Sequence, residues 1–314
     1  MALAPQNLAH RPAASDARRE RDRLFGSYQA EQRPGPATMR IGFKIVDGVR
    51  VRYAESEGPP ERTILLTSPW PESIYAFVPI WRSLARRFRL FAVDLPGFGA
   101  SERRDGLLAP QAMGTFLVRL IDECELGRPH IVGPDVGTSA ALFAASCAPS
   151  SVASVIVGSG GAAVPIDLGA PLSDWALEPE IESYRSIDSG AIVNAAIDTI
   201  AGHVPSAVRE DYVSCYAGQR FFESMGYVRR YPAELPVLAE LLPAIRTPAL
   251  IFAGLRDRVV PVSNAEFLAE RLPHCRLGFV GAGHFVWEEA PDAFSEMISD
   301  WVAHGHRDVL GDHV

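Results

Sequence analysis

The chain has 314 residues, 47% of them hydrophobic, and a formal net charge of −8, with a pI near 5.5. That length and apolar share suffice for a packed core in one large or two small domains. The acidic balance argues against a nucleic-acid or membrane-surface partner, either of which selects a basic face. Cys124, Cys147, Cys215 and Cys275 are scattered without paired or metal-ligand spacing, which predicts reduced thiols in a cytoplasmic protein with no zinc site.

In chain order, residues 1–39 lack the apolar core of a signal peptide. Arg18, Arg19, Arg21 and Arg23 alternate there with Asp16, Glu20 and Asp22, and the segment is expected to be a solvated, flexible leader. No 18-residue apolar run occurs anywhere, so no membrane span is expected. Alternation over residues 40–54 predicts a hairpin turning at Asp47-Gly48. A buried strand follows at 63–67, then a helix at 74–88 with Ile74, Phe77, Val78, Trp81 and Leu84 on its apolar side. Strands at 89–93, 130–132 and 152–158 alternate with helices at 111–125 and 138–147. Such alternation specifies a mostly parallel sheet with helices on both faces, binding ligands beyond the carboxyl ends of its strands.

That rhythm stops over residues 161–241, where helical, aromatic-rich sequence predicts a cap inserted over the site. It resumes with strands at 249–252 and 276–280 and a last helix through Phe294, Ile298 and Trp301. The expected organisation is therefore a core of residues 40–160 and 242–314 with a helical cap at 161–241.

The run Gly133-Pro134-Asp135-Val136-Gly137, between a strand and a small-residue helix, reads as a nucleophile elbow with an aspartate at its apex. A carboxylate there attacks saturated carbon and leaves an alkyl-enzyme ester, whereas serine leaves an acyl-enzyme. Asp135 as a plain helix cap is the competing reading. Downstream, Asp257 stands at the end of a strand, and His284 sits in a loop just before a helix. The order nucleophile, acid, histidine is that of α/β-hydrolases.

With the elbow, Asp257, His284 and the stretch VDLPGFGAS at 93–101, residues 40–305 resemble the α/β-hydrolase superfamily. The aspartate makes the chain similar to epoxide hydrolases and haloalkane dehalogenases. The resemblance implies an α/β-hydrolase fold and an Asp135–His284–Asp257 triad needing no cofactor. In it His284 draws a proton from the water that attacks the Asp135 ester, and Asp257 holds the imidazole. The oxyanion donors would be the N–H groups of Val136 and Trp70. Trp70 lies in Ser68-Pro69-Trp70-Pro71-Glu72, where relatives carry His-Gly-x-Pro, so Ser68 and Pro69 depart from the pattern. The resemblance further implies two cap tyrosines that protonate an epoxide oxygen. Tyr227 and Tyr184 are the candidates, with Tyr212 and Tyr216 as rivals.

Trp175, Tyr212, Tyr216 and Phe285 are expected to line the substrate pocket. Dehalogenases resembling this fold place a tryptophan directly after the nucleophile, where this chain has Val136. Haloacid members offer an arginine where Thr138 and Ser139 stand. Opening of an epoxide to a vicinal diol is therefore the leading expectation. Dehalogenation, or a non-hydrolytic lyase, cyclase or receptor, is the alternative. The expected partner is a hydrophobic small molecule, with homodimer formation left open. His130, His203, His274, His304, His306 and His313 have no partner at useful spacing and are read as structural or solvated. Glu288 and Glu289 fit a helix start through its dipole, with a second acid role as the alternative.

Overall fold

In the computed structural model, which describes residues 39–310, eight strands form one sheet. The proposed leader, apart from residue 39, lies outside the described residues. Strands β1 (Arg40–Val46) and β2 (Val49–Glu55) form the expected hairpin. Asp47 and Gly48 both take positive φ, 47° and 75°, the backbone that a two-residue turn needs to match strand twist.

Next come β3 (Thr63–Thr67), β4 (Arg89–Val93), β5 (His130–Pro134), β6 (Ser154–Gly158), β7 (Ala249–Gly254) and β8 (Cys275–Val280). Their order is β1-β2-β4-β3-β5-β6-β7-β8, with only β1–β2 and β2–β4 antiparallel. β3, β5, β6 and β7 are buried at every position, as expected for parallel strands covered on both faces. The chain leaves β3 toward β4 on one side and returns to β5 on the other. The loops after β3 and β5 are therefore neighbours at the switch point, where open α/β sheets bind ligands.

The helix expected at 74–88 is instead a 3-10 turn at Ile74–Phe77 followed by α1 (Val78–Ala85). Pro79 in the first turn of α1 has no N–H to donate backward, so α-helical bonding starts only there. Helices α2 (Pro110–Glu123) and α3 (Gly137–Cys147) follow as anticipated. They pack so closely that a Cβ on Gly114 would sit 2.6 Å from Phe143 Cβ. The small residues of α3 are what permit this approach.

Between β6 and β7 the described residues form helices and no strand: α4 (Leu172–Leu177), α5 (Ser189–Ile197), α6 (Ser206–Cys215), α7 (Arg220–Ser224) and α8 (Tyr231–Leu241). This insertion is fastened to the core by a buried guanidinium. Arg52 donates to Asp94 at 2.6 Å and bidentately to Asp211 of α6 at 2.7 and 2.9 Å. Ser73, in the segment after β3, donates to the same Asp211 at 2.8 Å. Removing one member of such a buried set costs about 3–5 kcal/mol, because the remaining charge is left unpaired.

After β7 come α9 (Ser263–Arg271), the short α10 (Val286–Glu289) and α11 (Pro291–Asp300). No helix among the described residues is long and apolar enough to cross a membrane.

Candidate active site

Asp135 sits at the turn from β5 into α3 with φ of 51°, a left-handed conformation that non-glycine residues adopt only under constraint. Its neighbours explain how the turn closes. A Cβ on Gly133 would lie 2.6 Å from the Gly137 carbonyl, one on Gly137 2.1 Å from Thr67 Oγ1, and one on Gly160 2.2 Å from the Asp135 carbonyl. The elbow glycines are thus required by close approach. Thr138 braces the turn, donating to the carbonyls of Gly133 and Gly158 at 3.0 Å each. Asp135 N donates to Gly158 O at 3.0 Å.

The two carboxylate oxygens of Asp135 are not equivalent. Oδ2 accepts the Trp70 N–H at 2.6 Å, and the neighbouring Val136 N–H favours the ionised carboxylate. Oδ1 lies 3.8 Å from His284 Nε2. On the far side of the imidazole, Nδ1 is 2.9 Å from Asp257 Oδ2. With the carboxylate as acceptor, the proton sits on Nδ1. Asp257 Oδ1 accepts the Val259 and Val260 N–H groups at 2.9 and 2.8 Å, which fixes its plane. Loops after β3, β5, β7 and β8 thus bring Trp70, Asp135, Asp257 and His284 together, as anticipated.

Burial pushes the Asp135 carboxyl up to about 6, against the pull of His284 and of the Trp70 and Val136 N–H groups. For His284, burial disfavours the imidazolium, but Asp257 first, then Asp135 and Glu289, outweigh it and hold the ring above its ordinary value. The carboxylates around His284 thus favour its imidazolium, which faces the Asp135 carboxylate.

The cavity above Asp135 has a volume of about 660 Å³. Leu172, Trp175, Ile192, Ala196, Val259 and Phe285 form apolar walls. Trp175 and Phe285 line it as expected. Trp70 stacks on Phe221 with centroids 4.9 Å apart and meets Trp175 edge-on at 5.2 Å. Its indole Nε1 donates to Ser224 Oγ at 2.9 Å. Sequence reasoning did not find Arg256 and Arg258, which also line the cavity, as does Glu289, singled out in the sequence only as a helix-start residue or second acid. Glu289 Oε2 accepts the Gly283 N–H at 2.8 Å, steadying the backbone beside His284.

The tyrosine assignments require correction, because none of the four lines this cavity. The Tyr227 hydroxyl donates to the Val136 carbonyl at 2.8 Å and contacts Ser139 Oγ at 3.2 Å. Tyr184 is half-buried and donates to Glu178 at 3.3 Å. Tyr212 donates to Glu288 Oε1 at 2.9 Å, and Tyr216 to the Glu72 carbonyl at 3.0 Å. Each phenol is spent on a partner within the fold, as buried phenols generally are. His130 is structural, as expected: it contacts Ser154 Oγ at 2.7 Å, and burial lowers its pKa to about 3.

The family model described as "Alpha/beta hydrolase family" matches residues 65–297. Among curated proteins, hydrolase YugF of Bacillus subtilis (strain 168) is 25% identical over 269 residues, covering 82% of this chain and 96% of that protein. The 2-hydroxy-6-oxononadienedioate/2-hydroxy-6-oxononatrienedioate hydrolase of Cupriavidus pinatubonensis is 24% identical over 233 residues, covering 70% of this chain and 78% of that protein. Among solved structures, epoxide hydrolase CorEH superposes with a TM-score of 0.71 at 18% identity, covering 85% of this chain and 99% of that one. The enol-lactonase from Burkholderia xenovorans LB400 gives 0.70 at 18% identity, covering 84% and 100%. This chain belongs to the alpha/beta hydrolase family and is an α/β-fold hydrolase.

Proposed function

We propose that this hydrolase opens an epoxide of a hydrophobic small molecule to a vicinal diol through an alkyl ester on Asp135, without a cofactor. The observation that carries the reading is the division between the two Asp135 oxygens, one held by the Trp70 N–H and the other facing His284. Oδ1 attacks an epoxide carbon and the C–O bond breaks. Oδ2 becomes the ester carbonyl oxygen, already held by the Trp70 N–H, with the Val136 N–H as the second oxyanion donor.

The departing alkoxide needs a proton. With the tyrosines committed elsewhere, His284 is the donor suited by position, since its Nε2 faces Oδ1 and Asp257 and Asp135 raise its proton affinity. The imidazole left neutral then takes a proton from water, which attacks the ester carbonyl carbon. On collapse the diol oxygen leaves as an alkoxide and takes the proton of the intermediate's hydroxyl, which releases the diol, restores the carboxylate and leaves the proton from water on His284. One histidine thus serves both half-reactions, and the cycle closes with epoxide and water consumed.

Halide release is the less supported reading. A leaving halide asks for paired N–H donors in the apolar pocket, and the Trp70 indole is already bonded to Ser224. The test is a panel of epoxides and alkyl halides with wild type and His284→Gln. In the variant alkylation slows and ester hydrolysis stops, so the Asp135 peptide gains the mass of the epoxide. A lyase, cyclase or receptor would give no adduct, and halide release without diol formation would move the assignment to dehalogenation.

A further inference from the structure

A second pair of carboxyl groups lies behind the first. Glu72, two residues after Trp70, is fully buried, and Glu288 lies on α10, four residues after His284. Each carboxyl acts on the titration of the other: Glu288 raises Glu72, and Glu72 steadies the charge of Glu288. Glu72 Oε2 accepts the Trp287 indole N–H at 2.9 Å, and Glu288 Oε1 accepts the Tyr212 hydroxyl at 2.9 Å. Glu72 Oε1 and Glu288 Oε2 remain, both buried and neither supplied with a donor by any other described group. No cation among the described residues pairs with either carboxyl. Two ionised carboxylates in contact there would repel in a low-dielectric site. A single proton between Oε1 and Oε2 satisfies all four oxygens.

We propose that Glu72 and Glu288 share one proton, and that this pair is a positioning device holding the Trp70 N–H and His284 in register across Asp135. It joins the three parts that must stay aligned: the loop after β3, the helix after His284, and α6 of the insertion through Tyr212. Tyr216 adds a fourth tie by donating to the Glu72 carbonyl at 3.0 Å. The proton resides on Glu72, because Glu288 is the partly exposed member and carries charge at lower cost. Burial first, then the charge of Glu288, pushes the Glu72 carboxyl well above its ordinary value, against the Trp287 N–H. The other titratable groups facing the pair are Asp135 from the elbow, Glu289 from α10 and Tyr212 from α6, the last with Asp211 near it.

A glutamine at 72 reproduces the protonated acid, with an amide donor toward Glu288 and a carbonyl toward Trp287, but cannot lose the proton. The experiment compares wild type, Glu72→Gln and Glu72→Leu from about pH 6 to about pH 9, reading melting temperature, amide exchange at Trp70, and kcat and KM on the epoxide panel. Only the kinetic arm rests on the proposed reaction.

A shared proton predicts that wild type loses melting temperature relative to Glu72→Gln as pH rises, and that Trp70 exchange quickens in wild type alone. The ratio of Glu72→Gln to wild-type kcat, in which the His284 titration cancels, rises by up to about tenfold per pH unit beyond the titration of the pair. KM stays level, and Glu72→Leu falls well below Glu72→Gln at every pH. Parallel melting curves for wild type and Glu72→Gln would overturn the shared proton whether or not any epoxide is turned over. Diverging melting curves with a pH-independent kcat ratio and unchanged Trp70 exchange would overturn the positioning role. Failure of the whole panel would count against the epoxide reading alone, because melting and exchange still decide the pair.

Discussion

The Tyr227 hydroxyl donates 2.8 Å to the carbonyl of Val136, the residue directly after Asp135. The phenol that the family resemblance assigns to protonating an epoxide is therefore a brace under the elbow, fully buried and turned from the cavity. Tyr227→Phe should lower stability by about 1 kcal/mol, the usual net value of a buried hydrogen bond. The single-turnover alkylation rate should stay within about tenfold of wild type. A proton-donating Tyr227 would instead cost about 10²–10⁴-fold, so stopped-flow alkylation of wild type and variant separates the two roles.

Asp135 is a destabilised residue. Its carboxyl is raised to about 6, chiefly by burial. The stability contributed by its protonated form is complete below the unfolded carboxyl value and is lost as pH rises through about 6. Asp135→Asn removes the buried charge while keeping an acceptor for the Trp70 N–H. The variant should abolish turnover and stabilise the fold near neutral pH by about 1–3 kcal/mol. The gain should shrink as pH falls below about 6, which thermal melts across pH would reveal.

Single-turnover alkylation by an epoxide should show a bell-shaped pH dependence. The acid limb near pH 6 follows ionisation of Asp135, and the alkaline limb, above the ordinary imidazole value, follows loss of the His284 proton. Asp257 leads the groups that raise His284, so Asp257→Asn should move the alkaline limb to lower pH and cut kcat by about 10²-fold or more. An alkaline limb unmoved in that variant would contradict the proton-donor role of His284.

The Trp70 indole is tied to Ser224 while its backbone N–H serves Asp135. Trp70→Phe keeps the backbone donor, so ester hydrolysis should slow by less than about tenfold. Losing a halide donor or an oxyanion donor would cost about 10²–10³-fold. Rapid-quench measurement of adduct decay checks this.

The hairpin turn, the buried strands and the gathering of Asp135, Asp257 and His284 were legible because they follow from local signals: periodicity, glycine spacing and loop placement after strands. Side-chain direction was not. Whether the Tyr227, Tyr212 or Tyr216 hydroxyl faces a cavity depends on partners as distant in sequence as Val136, Glu288 and Glu72. The Glu72–Glu288 contact was hidden for the same reason. Glu288 fits a helix start equally well, and only the fold brings the loop after β3 against α10. The one available hint was a glutamate in the apolar run between Trp70 and Phe77. Arg256 and Arg258 flank Asp257 in sequence, but only the closed cavity reveals them as lining.

The central claim is that Asp135 Oδ1 bonds to substrate carbon and that water then attacks the Asp135 carbonyl. Single turnover of an epoxide in oxygen-18 water, with enzyme in excess, tests it most directly. The account predicts a first diol free of label and one oxygen-18 atom in the peptide carrying Asp135. Label in the first diol with an unlabelled Asp135 would mean that water attacks the substrate itself, and would contradict the covalent mechanism.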